Sequence, residues 1–123
     1  MNKKENMKIR EVLIKLGISS HLQGFHYIIQ ALEILEKQQI HTKLLTIYRM
    51  IGKKNEKPYG AIERSIRHAI QTAYKNNNNL KTIYTIIPDN SAFLYDLYFN
   101  FDIFEDYFKW SDKRWIRKKQ VQM

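Results

Sequence analysis

Apolar residues recur along this chain at intervals of three and four, the period of a helix with one buried face, and no stretch alternates long enough to make a strand. Ile9, Val12, Leu13 and Leu16 share one face of a short first helix, and Gly17 closes the turn after it. Ser20-His-Leu-Gln23 matches a capping box and opens a longer helix, where Leu22, Phe25, Ile29 and Leu32 form a stripe widened by Ile28 and Leu35. That helix is expected at the centre of the core. A third helix is expected to be capped by Thr42, to carry Leu44, Leu45, Tyr48 and Ile51 on one stripe, and to stop at Gly52. After the polar connector 53–57, Pro58 suits the first turn of a fourth helix, where its missing N–H is not needed. Ile62, Ile66, Ala69, Ile70 and Ala73 then recur on one side of that helix. The asparagine run 76–79 reads as a loop, and Leu80, Ile83, Tyr84 and Ile87 suggest a short helix ended by Pro88. Asp89, Asn90 and Ser91 offer caps for a final helix, in which Phe93, Leu97, Phe101, Phe104 and Phe108 follow spacings of four, four, three and four. The pattern predicts an all-α, compact bundle of about six helices with no internal repeat.

Composition narrows what such a bundle does. A chain of 123 residues suits one compact domain with a modest core. A formal net charge of +9 and a pI near 9.7 favour a polyanionic partner, because neutralised phosphates release condensed counterions. A membrane surface attracts the same charge, yet no stretch approaches the length of a spanning helix, and Lys3 and Lys4 precede no continuous apolar signal core. A cytoplasmic chain with no membrane partner is expected. Cysteine is absent, which excludes disulfides, thiol nucleophiles and thiolate metal sites. His21, His26, His41 and His68 lack zinc-site spacing, and no glycine-rich phosphate loop follows a strand. Glu33 and Glu36 read as an exposed helix edge beside Lys37, not as an acid–base pair. No catalysis, metal or cofactor is expected.

The fourth helix, expected over about 59–75, carries the candidate chemistry. Arg64, Arg67, His68, Gln71 and Lys75 gather on a face away from the apolar stripe. Arginine presents a rigid fork of donors that matches the O6 and N7 acceptors of guanine, and a helix is narrow enough for the major groove. The same face also fits a plain solvated surface whose arginines pair with Glu63. The neighbouring elements favour the first reading, since helix, tight turn and basic helix make a helix-turn-helix. Lys53, Lys54 and Lys57 sit where the turn would pass the duplex backbone, so with Gln71 and Lys75 they are candidate phosphate contacts. Double-stranded DNA is therefore the expected partner. RNA fits less well, because the aromatics lie away from the basic helix and are not interleaved with it.

These residues together resemble the C-terminal DNA-binding effector domain of the stage-zero sporulation response regulator of endospore-forming bacteria. The segment Ile62-Glu-Arg-Ser-Ile-Arg-His-Ala-Ile70 corresponds to that family's recognition helix nearly residue for residue. Leu16-Gly-Ile-Ser-Ser-His-Leu-Gln-Gly-Phe25 looks like its first interhelical turn, and the likeness runs roughly from Ile9 to Phe104. The resemblance implies a six-helix domain whose third and fourth helices read short promoter boxes, often as head-to-tail neighbours, to activate or repress transcription. It places Glu63, Arg64, Arg67 and His68 at the family's base-reading positions, and implies a bacterial, nucleoid-associated chain with RNA polymerase and a homodimeric or tandem copy as further partners. Three features depart from the family pattern. The chain begins at Met1 just before the effector-like segment, so action without a phosphorylatable receiver is expected. Ala61 stands where the resemblance leads to an arginine, which bears on the preferred site. The passage from Ile87 through Pro88 to Ser91 is shorter than the family's connection between its last two helices.

Residues 1–105 are accordingly expected to form the DNA-binding domain, and 106–123 an aromatic and basic tail. Tyr95, Tyr98, Phe99, Phe101, Phe104, Tyr107, Phe108 and Trp110 are too many for one core face. Either this helix wraps the domain and completes the core, or Leu97, Phe101 and Phe104 form a self-association surface. In that second case the chain is a protein-interaction module that modulates a full-length regulator. The basic segment Lys113-Arg-Trp-Ile-Arg-Lys-Lys119 would add phosphate contacts without specificity.

Overall fold

The computed structural model describes residues 2–38 and 42–121, with side chains described as far as Ser111. Its helices are α1 (Lys3–Lys15), α2 (Gln23–Gln38), α3 (Leu44–Asn55), α4 (Tyr59–Asn76), α5 (Asn78–Ile83), α6 (Asn90–Phe99) and α7 (Phe101–Val121), and no strand occurs among the described residues. The all-α expectation holds, with seven helices among the described residues in place of about six.

The hydrophobic pattern places the core correctly. Ile9, Val12, Leu13 and Leu16 of the first segment are buried, and Gly17 follows in the left-handed conformation. On α2, Phe25, Ile28, Ile29, Leu32 and Leu35 are buried, while Leu22 is half-buried just ahead of the helix. α2 packs against α1, α3, α4 and α6, which makes it the central element. Its contact with α4 is a close one. A Cβ built at Gly24 would collide with the Ser65 carbonyl oxygen and lie 2.8 Å from the Ala69 Cβ, so only glycine lets the two backbones meet there.

Several boundaries differ from the sequence reading. α2 begins at Gln23, so Ser20 is not its cap; Ser19 Oγ organises the preceding turn by accepting from the His21 N–H at 3.2 Å. Lys43, not Thr42, is the N-cap of α3, with no side-chain capping bond. Ile47, Tyr48 and Ile51 form the buried stripe of α3, Leu44 is half-buried, and Leu45 faces out at 43 % exposure. Gly52 does not end α3, which continues to Asn55. The asparagine run is almost wholly helical: Asn76 ends α4, Asn78 starts α5, and Asn77 alone breaks them, its side chain accepting from the N–H groups of Asn79 and Leu80. Tyr84 and Ile87 lie beyond α5.

The last expected helix is two. Asn100 (φ −126°, ψ 36°) leaves helical geometry between α6 and α7, and its amide Nδ2 donates to Asp96 Oδ1 at 3.0 Å. Asp89 caps α6 by accepting from the Ala92 N–H at 2.8 Å. Phe93, Phe104 and Tyr84 then cluster with ring centres 6.2–6.4 Å apart. Leu97 and Phe104 are thus buried within the chain's own core, so neither is free to form the self-association surface considered above; Phe101 is half-buried beside them. α7 runs through positions 105 and 106 without a break to Val121, and the side chains of the basic segment 113–119 lie outside the described residues, as does His41.

Gly24→Ala is expected to destabilise the fold by about 1–3 kcal/mol, because α2 and α4 must separate to admit the methyl group. Urea unfolding followed by circular dichroism measures this, and an unchanged midpoint would remove Gly24 from its role at the crossing.

Candidate nucleic-acid interface

Three residues, Glu56, Lys57 and Pro58, connect α3 to α4. Glu56 adopts the left-handed conformation (φ 56°, ψ 45°), and the Lys57 N–H donates back to the Gly52 carbonyl at 2.8 Å, closing a Schellman-type turn. Gly52 serves this turn by proximity: a Cβ there would collide with the Lys57 carbonyl oxygen. Two clamps fix the angle between the helices. Asn55 Nδ2 donates to Gln30 Oε1 at 2.8 Å, tying the end of α3 to α2. Buried Asn90, at the start of α6, donates from Nδ2 to the Glu63 carbonyl of α4 at 3.0 Å and to Tyr48 Oη of α3 at 3.1 Å. Its Oδ1 is buried and has no hydrogen-bond partner among the described residues. Burial raises the Tyr48 phenol above its ordinary pKa, with the Asn90 bond pulling the other way. The phenol therefore stays neutral here.

Ile62, Ile66, Ala69, Ile70 and Ala73 turn the other side of α4 outward. At 100° per residue, Arg64, Gln71 and Lys75 lie opposite this buried stripe, and Arg67 and His68 flank them on either side. All five are exposed. Arg67 Nη1 meets Glu63 Oε1 at 2.6 Å, with the two side chains 49 % and 31 % exposed. Such a pair contributes little stability, but it holds the guanidinium out along the helix. Lys53 and Lys54 are not loop residues: they occupy the exposed last turn of α3, where cations also complement the helix dipole. Lys57 is exposed in the turn itself.

One contact had no counterpart in the sequence reading. The Arg49 guanidinium lies 5.4 Å from the centre of the Tyr59 ring, joining the exposed side of α3 to the first residue of α4. Arg49 stands four residues before Lys53, so the two share a face of α3. That spacing was the available signal. His21 sits in the α1–α2 turn and His26 in the first turn of α2, its Nε2 lying 3.0 Å from the Ser20 carbonyl, and no group of metal-ligating side chains occurs among the described residues. No helix among the described residues is long and apolar enough to cross a membrane.

A helical bundle that holds two helices across a three-residue turn, with an exposed basic face on the second, is of the helix-turn-helix class. A model of the family described as Sporulation initiation factor Spo0A C terminal matches residues 9–96, and the chain belongs to that family. The match spans α1 from Ile9 to the middle of α6 and includes the whole of α3 and α4. The family is a DNA-binding effector domain of a sporulation regulator and is not an enzyme family, so DNA-binding transcription regulation is the chain's function at that level.

Replacing Asn90 by Ala is expected to lower stability by about 1–3 kcal/mol, since the Tyr48 hydroxyl loses its bonded neighbour in a buried site. Asn90→Asp should lower it further, by setting an acceptor against the Glu63 carbonyl. Equal stability of both variants and the parent in urea would contradict the clamp.

Proposed function

We propose that α4 enters the major groove of double-stranded DNA as the recognition helix and reads sequence through Arg64 and Arg67. The observation that carries this reading is the placement of both arginines, with His68 and Gln71, on the one face of α4 that the core leaves open. Each arginine offers a bidentate fork to guanine, and three residues of separation bring the two forks to adjacent positions along the groove. Glu63 orients Arg67 in the free chain and accepts from a cytosine amino group in the bound one. His68 contacts a base edge from the far side of the same face. Gln71 and Lys75 follow the groove toward the end of α4, while Lys53, Lys54 and Lys57 meet phosphates from the end of α3 and the turn. Arg49 and Tyr59 join this backbone-contacting set. No element among the described residues covers that face. RNA polymerase and a neighbouring copy on the DNA enter as partners of the bound state.

Ala61, half-buried on α4, adds no donor where the family resemblance leads to an arginine. The preferred duplex is therefore best found by selection from a randomised library. On the selected duplex, Arg64→Ala and Arg67→Ala are each expected to weaken binding by about tenfold to a hundredfold and to leave a shuffled duplex nearly unaffected. Lys53→Ala and Lys54→Ala should weaken both duplexes alike and lower the slope of log K against log salt by about 0.9 for each phosphate that is no longer neutralised. Fluorescence anisotropy across a salt series reads both effects. Selection that yields no preferred sequence, or arginine variants that weaken on both duplexes equally, would sink the base-reading role.

A further inference from the structure

A glycine inside a helix lowers its stability, so its presence there calls for a local reason. For Gly24 and Gly52 the reason is backbone: the Ser65 and Lys57 carbonyl oxygens leave no room for a Cβ. Gly60, in the first turn of α4, has a different neighbour. The three atoms nearest to a Cβ placed there all belong to the Arg64 guanidinium, Nη1 at 3.3 Å, Cζ at 3.9 Å and Nη2 at 4.0 Å. Arg64 therefore folds back one turn toward the start of α4 and lies against the bare side of Gly60.

The two arginines of the open face are held in different ways. Arg67 is tied to Glu63 at 2.6 Å, also one turn back along the helix. No hydrogen bond or ion pair among the described residues holds Arg64, so its direction rests on the space that residue 60 leaves. The same turn offers little else that reaches outward: Ala61 is short, Ile62 is buried, and the Tyr59 ring is engaged by Arg49 at 5.4 Å. The Arg64 guanidinium thus supplies donors at this end of α4. In helix-turn-helix proteins the N-terminal residues of the recognition helix are those that meet base edges, so the position of this fork bears on which base it meets.

We propose that Gly60 is a specificity-determining position that acts through Arg64: the missing side chain lets the guanidinium lie over the first turn of α4, and a side chain at 60 displaces it from the base it reads. The proposal rests on α4 being the reading helix and on Arg64 contacting a base. Gly60 itself touches no base in this account; it is a positioning residue. A single methyl group moves the fork by a few tenths of an ångström, whereas a branched side chain occupies the space outright, so the effect grows from alanine to valine. Both residues suit a helix better than glycine does, so weaker binding by these variants is not a loss of helix.

A double-mutant cycle over positions 60 and 64, read by fluorescence anisotropy on the selected and shuffled duplexes, tests it. Gly60→Val is expected to weaken binding to the selected duplex about tenfold and Gly60→Ala by less, with the shuffled duplex nearly unchanged. In an Arg64→Ala background, Gly60→Val should weaken binding by less than about twofold more, because the group it displaces is gone. Selection repeated with Gly60→Val should relax the same base position that Arg64→Ala relaxes. Circular dichroism checks that each variant keeps its helices. Equal losses in both backgrounds would mean that the valine meets the DNA directly, and would overturn the proposal. So would a Gly60→Val chain that binds as the parent does while Arg64→Ala weakens, an outcome that leaves the base-reading role standing. If Arg64→Ala has no effect on the selected duplex, the base-reading role falls first and the Gly60 proposal with it.

Discussion

At Gly24 the backbones of α2 and α4 come so close that a single methyl group would strike the Ser65 carbonyl. Protein interiors are close-packed and yield little, so this crossing fixes where α4 sits and how it is rotated. The other arrangements depend on it. With Ile62, Ile66, Ala69 and Ile70 held inward, the helix has one remaining face to offer, and that face bears Arg64, Arg67, His68 and Gln71. Asn90 and Asn55 then set the neighbouring helix against it, one from α6 and one across to α2. A DNA-reading helix needs this kind of support, because base-edge hydrogen bonds are directional while phosphate contacts are forgiving.

Charge and geometry have separate roles. The net charge of +9 draws the chain to any polyanion and carries no sequence information. Under the proposed reading, discrimination comes from the few side chains whose direction is fixed, and the Glu63–Arg67 pair illustrates how. Exposed as it is, it adds on the order of a few tenths of a kcal/mol to the fold. In that reading the pair keeps a long, flexible guanidinium from sampling every rotamer before it meets a base, which reduces the entropy lost on binding.

Much of this was legible in the sequence. The α4 stripe could be read directly because one period runs unbroken from Ile62 to Ala73, and the open face follows from it by subtraction. The family resemblance rested on the same helix and is supported by the match over 9–96. Boundaries were harder, for identifiable reasons. Gly52 looks like a helix stop, yet its glycine is needed for close approach of the Lys57 carbonyl, and the left-handed residue that ends α3 is Glu56, which has no strong preference for that conformation. Asn100 breaks α6 from α7 without interrupting the apolar spacing, so periodicity alone ran straight through it. Ser20 reads as a cap, yet α2 begins only at Gln23 and it is Ser19 Oγ that accepts a hydrogen bond in the turn before it, a choice that depends on the three-dimensional turn. The excess of aromatics was a true signal, but it marked a folded-back helix pair completing the core around Phe93 and Phe104, not a surface made of those residues. The Gly24 crossing and the Arg49–Tyr59 contact depend on which helices meet, a fact that no local window contains.

The most direct measurement of where DNA lies on this chain is a titration of the amide resonances of isotope-labelled protein with the selected duplex. The largest shifts are expected along 59–75 of α4 and at the end of α3 near Lys53 and Lys54, with α1 and α7 little changed. Shifts concentrated on α1 or α7, with α4 silent, would contradict the assignment of α4 as the reading helix.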